Sequence, residues 1–212
     1  MGEEDISISP DTRTPSLVEL SSRVQREQEW EKTLSEFNQR TDRLGLDIDK
    51  GVLETVVGLN ATKINTVQSC EGHTEHGTES PYVDIAGKGT EAMEDKFYAL
   101  IRQPETEEQA RALGNEIEES NQHDWKKAFD VLDSFYKNRQ VPYDQRLIIR
   151  PYGVGRGRIE SQGAQLQKGS GSSPEEKQHR LGRYQEEMHA FGTHLKQSFL
   201  NRPSPQLPPQ TR

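Results

Sequence analysis

One cysteine, Cys70, stands in a chain of 212 residues. No disulfide can therefore form within it, and no disulfide framework holds the fold. Apolar residues are also scarce, at 30%, against a usual share of roughly 45–50% counted with glycine. With a mean hydropathy of -0.98, a core spanning all 212 residues is not expected. The composition fits a core of about 110–140 residues with solvated helices and disordered ends. No apolar run approaches the ~18 residues of a spanning helix, which excludes a membrane partner of that kind. A basic excess is missing too: the net charge is -8. Duplex nucleic acid is thus not an expected partner, since phosphate backbones are held by clustered Lys and Arg. The start, Met-Gly-Glu-Glu-Asp, is acidic and carries no apolar run, so it is not read as a secretory signal. A cytoplasmic protein is the expectation.

What the chain does contain is helical periodicity around a short β-rich centre. Residues 1–14 read as a disordered leader. Over 15–44, Leu17, Leu20, Val24, Trp30, Leu34 and Phe37 recur at three- and four-residue steps and predict a long amphipathic helix. Asp49 is placed to cap a second helix that buries Val52, Leu53, Val56 and Val57. Residues 64–69 and 82–85 read as strands. Helical patterns follow over 92–101 and from Thr106 to Tyr136, where Gly114 and the polar 120–123 stretch suggest a break into two helices. Residues 145–150 and 157–161 make two more strands, joined by a turn carrying Gly153 and Gly155. A Gly/Ser linker spans 166–173, and an amphipathic helix with Pro174 in its first turn spans 174–201. A Pro-rich tail takes 202–212. The resulting fold class is α+β, with a core domain at 45–165. Its sheet is small and mostly antiparallel, with about four strands covered by helices. Long amphipathic helices near both termini offer a surface for self-association or a protein partner.

The densest chemistry lies between the first two strands. Cys70, Glu71, His73, Glu75 and His76 occupy a loop punctuated by Gly72, Gly77 and Pro81. Polar and titratable groups concentrated at a strand-to-loop junction suit a binding or catalytic site. In a thiol-dependent enzyme Cys70 would be the nucleophile and His73 the acid/base, with Glu71 and Asp84 orienting them. Such a thiol would need its pKa lowered by a nearby cation or by backbone donors. Arg150 and Arg158, flanking the glycine turn, are candidates to clamp a small anionic ligand. That requires the turn and the Cys70 loop to share one end of the sheet. An alternative is zinc, with Cys70, His73 and His76 as ligands and Asp84 as a fourth. A further alternative makes the protein a helical scaffold whose loop only shapes the domain, with Cys70 as a small buried hydrophobe. His123, His179, His189 and His194 fall on helical segments and read as solvated.

The pentapeptide Ser69-Cys70-Glu71-Gly72-His73 resembles a motif of scattered small bacterial and phage-type proteins of unknown function. The similarity extends over residues 47–165 through Pro81-Tyr82-Val83-Asp84-Ile85 and Arg158-Ile159-Glu160-Ser161-Gln162-Gly163. It implies a helix and short strand leading into the loop, and no particular activity. A more distant similarity is to the Ser-Ser-Cys-Ser-Gly-Arg segment of wybutosine-synthesising tRNA methyltransferases, where Glu71 and His73 stand in place of serine and arginine.

Overall fold

Strand alternation sets the two faces of a four-stranded antiparallel sheet in the computed structural model. The described residues are 17–41, 45–166 and 171–202. The leader at 1–14, residues 167–170 of the linker and residues 203–212 of the tail lie outside them. The strands are β1 (Thr66–Cys70), β2 (Tyr82–Ile85), β3 (Leu147–Pro151) and β4 (Gly157–Ser161), in the order β1-β2-β4-β3. Val83 pairs with Ile159, which pairs with Ile149. Together with Ile85 and Leu147, these side chains form the face that joins the hydrophobic core. The opposite face is polar. Its rows are Cys70, Tyr82, Glu160 and Ile148, then Gln68, Asp84, Arg158 and Arg150. Registered partners share a face because side chains alternate with a period of two.

The helices are α1 (Leu17–Asn38), α2 (Lys50–Ala61), α3 (Thr90–Leu100), α4 (Glu107–Tyr136), the single-turn α5 (Gly163–Leu166) and α6 (Pro174–Leu200). Of the six, α1, α2, α4 and α6 cover the apolar face, while α3 packs against α4. The sequence-predicted break in the fourth helix is absent: α4 runs 30 residues without interruption. Its polar stretch has a packing role, because Asn121 is buried. The Asn121 amide accepts from Gly87 N and donates to Thr90 Oγ1 at 3.0 Å, pinning the turn before α3 to α4. Ser173 and Glu176 form a capping box that starts α6, with Pro174 in the first turn, as its sequence suggests.

The terminal segments contribute to the same core as residues 45–165. Trp30 and Phe37 of α1 are buried beside Met188, Phe191, Leu195 and Phe199 of α6. The exposed apolar residues of α1, Leu20 and Val24, lie towards its N-terminus. The α2–α6 crossing depends on two glycines. A β-carbon on Gly58 would stand 2.6 Å from Leu195 Cβ, and one on Gly192 would stand 3.0 Å from Thr55 N. Thr55 Oγ1 also donates to Met188 O at 3.0 Å. This crossing fixes α6 over α2, and from there α6 reaches the Cys70 loop. Among the described residues, no helix is long and apolar enough to cross a membrane.

Candidate functional site

The Cys70 loop is held from three sides. Glu71 turns back to α2, where its Oε2 accepts from Gly51 N at 2.9 Å. That satisfies one of the unpaired amides at the helix start. Asp49 occupies the N-cap position but makes no side-chain cap bond; its Oδ2 accepts instead from Glu71 N at 2.9 Å. The two acids have therefore exchanged the roles their positions suggest. From α6, Gln185 Nε2 donates to Glu71 O at 3.0 Å. Lys177 Nζ and Arg180 Nη2 bind Glu79 at 2.6 and 3.2 Å. Within the loop, His73 N donates to Thr78 O at 2.7 Å. Gly72 has φ +82°, and a β-carbon there would lie 2.8 Å from both Leu181 Cδ1 and Ser80 C. Only glycine satisfies both the left-handed backbone and the close packing.

This scaffold brings Asp49, Cys70 and His73 together, with one donor atom of each within 4.8 Å of the other two. His73 Nε2 is 3.8 Å from Asp49 Oδ2, and their side chains are 28% and 33% exposed. Cys70 is half-buried. The cluster is thus reachable from solvent rather than filling the interior. Burial pushes the Cys70 thiol above its ordinary value. The Gly72 amide, 3.4 Å from Sγ, and the Thr78 hydroxyl pull the other way, while the Asp49 carboxylate adds to the rise. The cation-lowered thiol that a nucleophile needs is therefore not what this environment makes.

The other sequence-predicted residues lie elsewhere. His76 stacks on His73, with ring centroids 4.3 Å apart and planes at 14°. Nitrogen lone pairs lie in the ring planes, so stacked imidazoles aim side by side instead of converging. Asp49 completes the donor cluster in place of His76. Asp84 does not orient an imidazole and is not a fourth donor. It is fully buried, and its two oxygens accept from Arg158 Nε and Nη2 at 2.7 and 2.8 Å. The Arg158 guanidinium is clasped between the Tyr82 and Tyr152 rings, 3.6 and 3.7 Å from their centroids. Burial pushes the Tyr82 phenol up to about 12. Arg150 is paired with Glu160, which also accepts from Gln165 Nε2 at 2.6 Å.

The expected convergence of thiol, imidazoles and guanidinium groups does not occur. Cys70 and Arg150 lie on opposite edge strands, three interstrand spacings or about 14 Å of sheet apart. The glycine turn also sits at the other end of the strands. Cys70 is level with Glu160, whereas the turn begins beyond the Pro151–Gly157 pair, a further ~10 Å along β4. At that far end a cavity of about 510 Å³ opens between α4 and the turn, with Trp125 and Phe129 among its lining.

Sequence reasoning missed two features. Asp49 reads as a helix cap, and nothing local reveals that its carboxylate faces a loop 22 residues on. Trp125 and Phe129 read as one more apolar stripe, yet Phe129 is 45% exposed. That exposure is visible only once the sheet has taken its place. No family model, curated protein or solved structure matches this chain. Its geometry and chemistry carry the functional reading.

Proposed function

We propose that the protein binds a divalent transition metal, zinc by preference, through Asp49, Cys70 and His73. The open side of that site would accept water or a small anionic ligand. The observation that carries this reading is the meeting of one carboxylate oxygen, one thiol sulfur and one imidazole nitrogen within 4.8 Å. Zinc takes this mixed donor set, and sites with three protein ligands leave a fourth position for an exogenous group. When bound there, the ion supplies Lewis acidity toward whatever fills that position.

The surroundings support the reading. The Asp49 carboxylate disfavours the Cys70 thiolate, and a divalent cation removes that conflict. The loop is ordered by hydrogen bonds that do not depend on a ligand: the Glu71 amide to Asp49, Gln185 to Glu71 O, and the His73 amide to Thr78 O. Supporting contacts of this kind hold donors in place around a metal. The anion-binding role assigned from sequence to Arg150 and Arg158 passes to the metal's open position, because both guanidinium groups already face carboxylates.

Elemental analysis of untagged protein, followed by cobalt titration of the metal-free form, tests the proposal. One equivalent of cobalt should produce a thiolate-to-cobalt charge-transfer band that Cys70→Ser abolishes. Added zinc should also slow iodoacetamide labelling of Cys70. Metal-free protein with no cobalt band, and a labelling rate indifferent to zinc, would point to a site without metal.

A further inference from the structure

A second site lies at the opposite end of the sheet. We propose that the cavity between α4 and the glycine turn binds a small organic cation with a flat apolar body, of the arylalkylamine class. Its volume of about 510 Å³ falls in the range of roughly 300–1,000 Å³ that small-molecule pockets occupy. Its wall is aromatic: Trp125 and Phe129 have ring centroids 6.4 Å apart and are tilted by 60°. The indole is fixed from behind, since Trp125 Nε1 donates to Gly155 O at 3.2 Å. Gly155, at φ +71°, presses so closely on Ile117 that no side chain fits there, so the turn lies against the helix as the second wall.

Charge selects the ligand. Of the five charged or amide side chains in the lining, Asn121 is already bonded to Gly87 and Thr90, and the two cations are already matched. Arg156 donates to both oxygens of Glu94, and Lys126 Nζ binds Asp130 at 2.8 Å. Glu118, on the same wall of the cavity, has no ion-pair or hydrogen-bond partner among the described residues. The unmatched charge of the lining is therefore one carboxylate, beside two aromatic rings. A cation gains from both, through Coulomb attraction to the carboxylate and through the ring quadrupoles. An anion of the same shape gains from neither. The Gln122 amide, also in the lining, supplies a neutral hydrogen-bond partner between the charged end and the rings.

The test compares naphthylmethylamine with naphthylacetate, similar aromatic bodies of opposite charge, in titrations of ¹⁵N-labelled full-length protein. The two tryptophans, Trp30 and Trp125, give two indole N–H signals, assigned with Trp125→Phe. The amine should shift the Trp125 signal saturably and leave that of the buried Trp30 in place. The acid should bind at least about tenfold more weakly, a difference of ~1.4 kcal/mol. Glu118→Gln, a change at an exposed position, should erase the preference while the apolar contact persists. Phe129→Ala should weaken both ligands. No saturable shift, equal response to acid and amine, or an undiminished preference in Glu118→Gln would each overturn the proposal.

Discussion

His73 Nε2 stands 3.8 Å from Asp49 Oδ2, and a backbone amide two residues before His73 sets this approach. The Glu71 amide holds Asp49 Oδ2 at 2.9 Å, so the carboxylate is fixed beside the loop before any ligand arrives. Asparagine in place of Asp49 keeps an acceptor for that amide and removes the charge. Asp49→Asn should therefore retain the native circular dichroism yet lower zinc affinity by more than about tenfold, since even outer-shell changes cost 10–100-fold. Competition with a chromogenic chelator measures this. Unchanged affinity would remove Asp49 from the donor set.

Arg158 and Asp84 form a buried ion pair, with side chains 7% and 0% exposed. Removing one member leaves the other charged, desolvated and unmatched. Arg158→Met should cost about 3–5 kcal/mol of stability, read as a fall in the urea midpoint. The double variant Arg158→Met with Asp84→Leu should recover much of that loss, because no orphan charge remains. If the double variant is as unstable as the two losses added together, the pair is not acting as a unit.

The α2–α6 crossing leaves no room for a methyl group. Gly58→Ala and Gly192→Ala should each destabilise the fold by about 1–3 kcal/mol, although alanine favours helix over glycine. Thermal melts decide the sign. Gly182 is the control within α6: a β-carbon there meets nothing within 4 Å, so Gly182→Ala should be neutral or stabilising.

His194 is half-buried against the Phe135 ring, 5.3 Å between centroids, not solvated as its helical position suggests. Burial holds its pKa below the ordinary 6.5. At pH well above the ordinary value the imidazole is uncharged in both states and contributes no pH dependence. As pH falls through the unfolded value, the unfolded chain takes up the proton first and stability declines, until the folded pKa is also passed. Urea midpoints compared at about pH 7.5 and 5.5 should fall, and the fall should be smaller in His194→Gln. An equal fall in that variant would assign the effect to other groups.

Much of this protein was legible in its residues alone. The apolar stripes within α1 and α6, Pro174 in the first turn of α6 and the strand patterns around 82–85, 145–150 and 157–161 state local preferences that packing kept, although Leu20 and Val24 of the first stripe stay exposed. An α+β fold with a four-stranded antiparallel sheet follows from them. So does the placing of Cys70 at a strand end beside His73. These features rest on periodicity and backbone conformation, which act between near neighbours.

The partners of each charge were decided by tertiary structure. Nothing near Asp84 in sequence indicates that Arg158 will claim it, nor that Glu160 will take Arg150. Strand order did that, by setting β4 between β2 and β3 and sending Cys70 and Arg150 to opposite edges. Asp49 became part of the loop only because α2 docks beside β1, and Trp125 became a cavity wall only where the glycine turn meets α4. Side-chain chemistry is carried by the sequence, but Coulomb and hydrogen-bond energies depend on distances of a few ångströms. Those distances exist only after helices and strands far apart in the chain have packed.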